Sequence, residues 1–443
     1  MRPEGELPNT TQGWAGRLSD LWSTLRALPS ALLRQRVARR RLWIVVAAFL
    51  VCGYAAGVLG YVLGRPEIGI RCAFTPVVNH FYPEFLYPEG QSPLPEGQTP
   101  LQEGDRIVRL GGQPVENWSQ YLRKLGRLRD EPAEAVAALP AEDQSGTPAG
   151  KDFVLLDGQR LVRVEYERAG GPGAGRHSVW CRLGHSPVET LVPSVLWFFL
   201  KIGLFVVGAV VFWKRPEDRS AAQFFLFCIV SFGAYMGGYH WSRIATQPAL
   251  LVVFMACAIF LPAVSLHFYL LFPRAKPLLE RHPHAVVRLL YAPPVCFLLF
   301  LLFGYLHVRL LGQDGRGATA DAVRSQLEVM LQAIYLYFGV AAAMYLASIG
   351  SLAHSYRAAA GALERNQVKW VLFGSLAALV PIGYTLYLAF WQPARFGGGD
   401  ATWWMFAASL CVTAAFAVSI TRYRLMQLDQ LVSSGFVYFL ISS

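Results

Sequence analysis

The sequence is short of charge. Only 16% of its 443 residues are charged, 54% are hydrophobic, and the mean hydropathy is +0.35. Soluble domains carry nearer ~25% charged residues, so this composition excludes an ordinary soluble protein. The net charge of +11 does not indicate a nucleic-acid partner, because the positive residues lie in the short segments between apolar runs, where a membrane protein needs them.

The sequence also lacks catalytic motifs. It contains no H-E-x-x-H zinc motif, no G-x-S-x-G nucleophile elbow, no Walker loop and no C-x-x-C pair. We therefore predict no catalytic residue, no metal site and no cofactor, and we expect a chain that is not an enzyme. No pair of half-helices or inverted repeat stands out, which weakens the hypothesis of a small-molecule transporter.

Long apolar runs dominate what is present. A bilayer core of ~30 Å needs ~20 apolar residues in a helix. Eight runs reach that length, and a long polar stretch separates the first from the other seven. We predict an α-helical multi-pass membrane protein with eight spans (1+7), a small α+β domain inserted after the first span, and a seven-span bundle. The predicted spans are residues 42–64, 190–213, 221–242, 248–272, 286–310, 327–353, 368–391 and 401–421, with the bundle over 190–421.

The placement of lysine and arginine predicts the topology. Short cytoplasmic loops are enriched in both residues, and Arg39, Arg40 and Arg41 precede the first span. The later loops alternate accordingly, so we expect both termini in the cytoplasm and the inserted domain outside. In the cytoplasmic segment 1–41, apolar spacing over residues 13–33 favours an amphipathic helix on the inner leaflet over a mobile leader. The first span is too long for a signal peptide and is expected to remain as an anchor.

Residues 68–185 have the pattern of a strand-rich domain. The runs IGIRCAF, DRIVRL, RLVRVEYE and HSVWCRL predict strands by their alternation. Between them, apolar residues from Trp118 to Leu128 recur at helical spacing, with Asn117 as the N-cap. Residues 131–151, rich in proline and glycine, predict a long loop.

Two of the seven cysteines, Cys72 and Cys181, lie in this domain, each in a strand-like run near one end of it. An oxidising compartment permits a disulfide between them, which we predict on placement and compartment alone. The alternative is a pair of buried free thiols. The other five cysteines lie inside spans, where they serve as small apolar residues.

The segment PLQEGDRIVRLGGQPVENWSQYLRKL resembles the bacterial PDZ pattern. The matching residues are Leu101, Gly104, Asp105, Ile107, Gly112, Pro114 and Val115, with a helix from Trp118. The resemblance implies a PDZ-like fold, and PDZ domains bind extended peptides at a sheet edge. The usual glycine-containing carboxylate loop is replaced by a segment rich in proline and aromatic residues. That segment indicates either an aromatic site or packing onto the membrane or the domain core, through Phe81, Tyr82, Phe85 and Tyr87.

Ionisable residues inside spans are candidates for a functional site by default. Lys201 lies about halfway along the second span and His267 in the inner half of the fourth. Three others, His240, His307 and Glu328, lie near outer span ends and are candidates to line an outward-facing cavity. The alternative for these three is an interfacial side chain that reaches water.

Three segments carry a further resemblance: LHFYLLFPRAKPLLERHP ends the fourth span and fills the next loop, ERNQVKWVLFG enters the seventh span, and RYRLMQLDQLVSSGFVYFL follows the eighth. Together with the domain after the first span, they resemble the membrane input region of ComP-type bacterial sensor histidine kinases. The resemblance implies a bacterial cytoplasmic membrane and an exit helix over 422–443 that leads to a kinase core. The exit-helix residues are Arg422, Tyr423, Arg424 and Asp429.

No kinase residues are present, and the chain ends at Ser443 within an apolar run, so we expect an effector beyond it. The leading hypothesis is a signal-input module in contact with membrane lipid, with a peptide or small apolar ligand, in a homodimer. An apolar stripe after the last span either packs against its mate in that dimer or lies along the membrane; its residues are Val432, Phe436, Phe439 and Leu440. The alternative is a membrane-anchored PDZ scaffold for extracytoplasmic protein tails, and a weaker one is a transporter.

Overall fold

A computed structural model describes residues 39, 41–86, 100–128, 130–135, 152–170, 174–184, 188–311 and 317–423. The predicted amphipathic helix over 13–33, Tyr87, and the exit-helix residues Arg424 and Asp429 lie outside the described residues. We number helices α1–α12 and strands β1–β8 in chain order.

In the described part of the chain, eight helices are long and apolar enough to cross a membrane. Four short helices connect or flank them: α2 (Trp118–Arg127), α5 (Trp241–Ile244), α7 (Pro277–Arg281) and α11 (Pro393–Gly398). The eight long helices are α1 (Arg41–Gly64), α3 (Val188–Lys214), α4 (Arg219–Gly238), α6 (Pro248–Leu271), α8 (Pro283–Leu311), α9 (Gly317–Ala358), α10 (Ala362–Trp391) and α12 (Ala401–Tyr423).

The eight-span prediction is therefore confirmed by length and composition, with three differences in bounds. Helix α10 begins at Ala362 rather than at residue 368, and the other two differences concern α4 and α9. Helix α4 ends at Gly238 rather than near residue 242, because the chain turns at His240 and the apolar residue Trp241 packs on the inserted domain instead of continuing the span. Helix α9 has 42 residues, or ~63 Å at ~1.5 Å per residue. The helix extends beyond the predicted bounds of 327–353 at both ends, where the added residues are more polar than the span itself.

The inserted domain, which we call the sheet domain, contains eight strands: β1 (Ile70–Cys72), β2 (Val78–Phe81), β3 (Arg106–Leu110), β4 (Gln113–Pro114), β5 (Glu134–Ala135), β6 (Phe153–Leu156), β7 (Gln159–Arg168) and β8 (Gly175–Arg182). Strands β1 and β2 form an antiparallel pair. The main sheet has the order β4-β3-β7-β6-β5, and β8 also pairs with β7, antiparallel. The four strands expected from alternation are all present.

The glycine turns and the helix cap in the motif segment are also confirmed. Gly111 and Gly112 have φ angles of +54° and +72°, which favour glycine. The Asn117 side chain accepts a hydrogen bond from the backbone N–H of Gln120 at 3.0 Å. Asp105 accepts from the N–H of Gln102 at 2.7 Å and from the guanidinium of Arg168. These residues thus hold the turn before β3.

The remaining motif residues are structural as well: Leu101, Ile107 and Val115 are buried in the domain core, while Pro114 ends the short strand β4. Gly104, at the turn before β3, has a φ of +98°. The PDZ likeness itself stays a prediction.

The predicted disulfide is not formed in the structure. Cys72 and Cys181 are free thiols, both buried in the core that also holds Tyr121. Burial among apolar side chains raises the pKa of both thiols. Both act as small apolar core residues. The position of two cysteines near the ends of a domain does not show whether they form a disulfide or pack as free thiols.

Candidate functional site

A large cavity lies between the sheet domain and the bundle. Its volume is about 1430 Å³. Helix α2 and the segment after β1 form its roof. Its walls are the ends of α3, α4, α6, α8, α9, α10 and α12 that face the sheet domain, together with α5 and α11. Cavities of this kind, concave and largely apolar, are where proteins bind small ligands.

Helix α2 presents opposite faces to the core and to the cavity. Tyr121 is buried in the domain core, where its hydroxyl donates to the carbonyl of Ile70 at 2.8 Å. Arg123, Lys124 and Arg127 lie along the cavity side. Residues three and four apart share a helix face, so this cationic face follows from the sequence spacing.

Three aromatic rings join the sheet domain to the bundle at the cavity wall. Phe74 stacks on Trp118 of α2 at 5.4 Å between ring centroids and on Trp241 of α5 at 5.2 Å. The Trp118 indole N–H donates to the carbonyl of Cys72 at 2.8 Å. Phe74 has a φ of +60°, an uncommon conformation for a bulky residue. In this conformation the Phe74 ring contacts both tryptophans, whose own centroids are 5.6 Å apart, so the three rings form one cluster.

A buried ion pair makes a second connection between the two parts. Arg243 of α5 donates to both carboxylate oxygens of Glu67, at 2.6 and 2.7 Å. Glu67 follows α1 and also pairs its backbone with Gly184, at the other end of the sheet domain. Bidentate arginine–carboxylate pairs fix orientation as well as distance. The pair therefore fixes α5 relative to the two points at which the chain passes between the bundle and the sheet domain, at Glu67 and at Gly184.

His240 belongs to the same junction. It lies after the end of α4, is only 2% exposed, and its Nε2 is 2.5 Å from the hydroxyl of Ser194 on α3. Burial, followed by the charges of Arg243 and Arg71, lowers the pKa of His240 well below its ordinary value. The imidazole is thus held neutral beside two guanidinium groups.

Lys201 is buried inside the bundle, as its position in the second span indicated. Its ammonium donates to the hydroxyl of Ser231 at 3.1 Å and lies 3.8 Å from the centroid of the Tyr235 ring. The Trp197 ring is farther away, at 5.9 Å. Aromatic faces attract a desolvated cation. Tyr235 and Trp197 also line the cavity, so Lys201 lies directly behind its wall.

His267 lies elsewhere, beside a second cavity of about 850 Å³ in the half of the bundle away from the sheet domain. Its Nδ1 is 3.0 Å from the hydroxyl of Tyr291, which also accepts from Gln223 at 3.3 Å. These three groups form a polar cluster inside an otherwise apolar region.

The expectation that His240, His307 and Glu328 line one cavity is wrong for the described structure, since none of them lines the large cavity. His307 is exposed and stacks on Phe303 at 6.1 Å between centroids. Glu328 pairs with Arg324 one turn earlier on the exposed side of α9, at 3.0 Å. Helical rotation directs both side chains outward, and span depth alone does not predict that rotation. Arg422 and Tyr423 end α12, and their side chains lie outside the described residues.

The residues that line the large cavity were not predicted as site residues from the sequence. The signal for Arg123 and Arg127 was present, because both lie opposite the apolar stripe of α2. The contacts of Phe74 and Arg243 had no such signal, because their partners are distant in sequence.

The geometry defines a bundle of helices long enough to cross a membrane, with a cavity at one end that the sheet domain roofs. A family model described as the N-terminal 7TM region of histidine kinase matches residues 195–428, which is more than half of the chain. The chain belongs to this family. The match covers the seven spans of the bundle and no part of the sheet domain. No curated protein and no solved structure matches the chain.

Proposed function

We propose that this chain is the signal-sensing input module of a bacterial histidine kinase, and that its signal molecule binds in the cavity under the sheet domain. The observation that carries the proposal is the position of the cavity: it is enclosed by the family-matched spans and by α2 together. A ligand there contacts seven spans at once. It favours whichever arrangement of those spans gives it the better contacts.

Transmission uses α12, the last span. It packs tightly along α10, where a Cβ added at Gly374 would contact Ala415 and would approach the carbonyl oxygen of Cys411 at 2.7 Å. Ser419 donates to the carbonyl of Gln367 at 3.0 Å. A shift of α10 at the cavity is therefore passed to α12. We expect residues 422–443, most of which lie outside the described residues, to form a stiff helix that leads toward the effector in a homodimer.

The test attaches a histidine-kinase core after Ser443 and measures autophosphorylation in vesicles. Two glycines inserted after Leu428 should abolish regulation while insertion into the membrane stays normal, because a flexible break does not carry a rotation or shift. Two alanines at the same point are the matched control for length. Regulation that survives the glycine pair would refute transmission through a rigid helix.

The topology proposed with this function places both termini in the cytoplasm and the sheet domain outside. Reporter fusions at residue 150 and at the C-terminus should report opposite sides of the membrane. The same side for both would overturn the arrangement.

The scaffold alternative has less support. Strand addition by a peptide requires free backbone groups at a sheet edge. On the side of β1 away from β2, the carbonyls of Ile70 and Cys72 already accept from Tyr121 and Trp118. A peptide strand would have to displace both side chains.

A further inference from the structure

The charge around the cavity is of one sign. Six cationic side chains line it, and no aspartate or glutamate among the described residues does. They come from three directions: the sheet domain, α5 and the end of α8. They are Arg71, Arg123, Lys124, Arg127, Arg243 and Arg309.

One of these charges is neutralised by an ion pair, that of Arg243 with Glu67. In the part of the chain that the structure describes, no carboxylate forms an ion pair with Arg71, Arg127 or Arg309. On α2, burial and the neighbouring Arg127 charge lower the pKa of Arg123. Like charges held this close repel, and an anion between them would relieve the repulsion.

Below this cationic mouth the cavity is apolar. Along α8 the lining runs from Arg309 through Leu301 to Phe297. Twelve residues of helix correspond to ~18 Å of depth. The facing walls are Met255, Ile259 and Ile382. One leaflet accounts for half of a hydrocarbon core of ~30 Å, so this depth is about that of a single acyl chain.

We propose that the cavity binds an amphiphile with one anionic head group and one long hydrocarbon chain. The head group lies under the cationic face of α2, between Arg123, Arg127 and Arg309, and the chain lies between the spans. The inference rests on the proposed function, since it names the ligand class for the same cavity. A short polar anion would leave the apolar depth empty, and an uncharged chain would leave Arg127 and Arg309 without an anionic partner.

Equilibrium binding of radiolabelled palmitate tests the proposal. The full chain is placed in phosphatidylcholine nanodiscs at mildly alkaline pH, where the palmitate head group is ionised, and empty nanodiscs are subtracted. We expect saturable binding of palmitate. Hexadecanol and hexadecyltrimethylammonium, with the same chain length, should bind at least about tenfold more weakly, because they lack the charge-assisted hydrogen bonds.

Two variants locate the head group and the chain. Arg123→Gln with Arg127→Gln should weaken palmitate binding about tenfold or more and leave hexadecanol binding unchanged. Arg106→Gln with Arg176→Gln is the matched control, because it removes two exposed arginines of the same domain that do not line the cavity. Ala258→Trp, on the α6 wall, should weaken both ligands by filling the apolar part.

Equal affinities for palmitate and hexadecanol would overturn the proposal, as would an unchanged palmitate affinity in the Arg123/Arg127 variant. Thermal unfolding of each variant verifies that it is folded.

A further arm separates the two sources of such a ligand. Lysophosphatidylglycerol, an anionic lipid with one acyl chain, displaces palmitate when included in the nanodisc if the ligand comes from the membrane, and does not if it arrives from the aqueous side. Either result keeps the anionic amphiphile. The assay does not use kinase output, so regulated phosphorylation can fail while palmitate binding holds. That result would refute the sensing role and not the ligand class.

Discussion

The two halves of the bundle are built differently. The half that faces the sheet domain surrounds a cavity of about 1430 Å³. In the other half, phenylalanines from α4, α6 and α12 fill the centre. Phe224 lies 5.3 Å from Phe416 and 5.5 Å from Phe268, between ring centroids, and all three side chains are fully buried. The smaller second cavity lies beside this cluster, against α1 and α8.

The two kinds of packing suit different roles. A hollow region can take up a ligand and change its packing with the ligand's shape. A close-packed region has few alternative arrangements and moves as a unit. The bundle thus has adaptable walls around the cavity in which we propose that the signal binds, and a close-packed aromatic cluster around Phe416 of α12 in the other half. Four predictions test this contrast, in order of decreasing effect.

The first compares two phenylalanines. Phe268→Ala, in the packed cluster, should lower the free energy of unfolding by about 3–5 kcal/mol, because it leaves a cavity among rigid neighbours. Phe338→Ala, on the cavity wall, should cost about half as much or less, since part of that ring already faces empty space. Thermal unfolding in detergent measures both. Equal losses would contradict the contrast between the two halves.

The second prediction compares two arginine–glutamate pairs. Arg243→Ala should destabilise the protein by about 3 kcal/mol, because it leaves the Glu67 carboxylate buried without its partner. Arg324→Ala breaks the exposed pair with Glu328 and should cost less than about 1 kcal/mol. Hydrogen exchange at β1 should increase in the Arg243 variant alone. Unchanged exchange would show that the ion pair does not hold the sheet domain on the bundle.

The third prediction concerns pH. The pKa of His240 is lowered in the folded protein, so the unfolded chain takes up a proton that the folded protein does not as the pH falls below the unfolded value of 6.5. Stability should be level above that value and decrease below it, by at most about 1.4 kcal/mol per pH unit, down to the folded pKa. Unfolding measured between pH ~7.5 and ~5 tests this.

His240→Gln should remove that part of the slope, whereas His307→Gln, which changes an exposed histidine, should keep it. An identical slope in the wild type and the His240 variant would mean that protonation of His240 does not contribute to the pH dependence of the free energy of unfolding.

The smallest effect is expected at the start of α2, the cavity roof. Asn117→Ala removes the cap that accepts from the N–H of Gln120 and should cost about 1 kcal/mol. Faster hydrogen exchange should appear in the first turn of α2. Ser119→Ala, in the same turn, is the control and should change exchange little. If both variants behave alike, the cap does not order the roof.

Much of the fold was predictable because local signals were strong. The apolar runs gave eight spans within a few residues, apart from the turn at His240, the polar extensions of α9 and the earlier start of α10. Alternation predicted β1, β3, β7 and β8, but not β6, which lies between β7 and β5 in the main sheet and whose run FVLL is apolar without alternation. Strand β2 was missed because it lies in a segment rich in proline and aromatic residues, where the alternation is not visible, and the short strand β5 lies inside the segment 131–151 that was predicted to be a loop.

The candidate site was less predictable. The position of Lys201 midway along a span correctly indicated that it is buried. Position along a span does not show which direction a side chain faces. His307 and Glu328 were therefore wrongly grouped with His240 around one cavity. The expected cysteine bridge failed for a similar reason. Two buried thiols in strands have the same sequence pattern whether or not they bond.

By itself, the sequence determined the spans, the inserted strand-rich domain and the cationic face of α2, because each depends on spacing within a few residues. Only the tertiary structure decided that this face roofs a cavity, that Phe74 contacts Trp118 and Trp241, and that Glu67 binds Arg243. Those contacts join residues far apart in the chain, and their geometry is set by the packing of whole helices against the sheet domain.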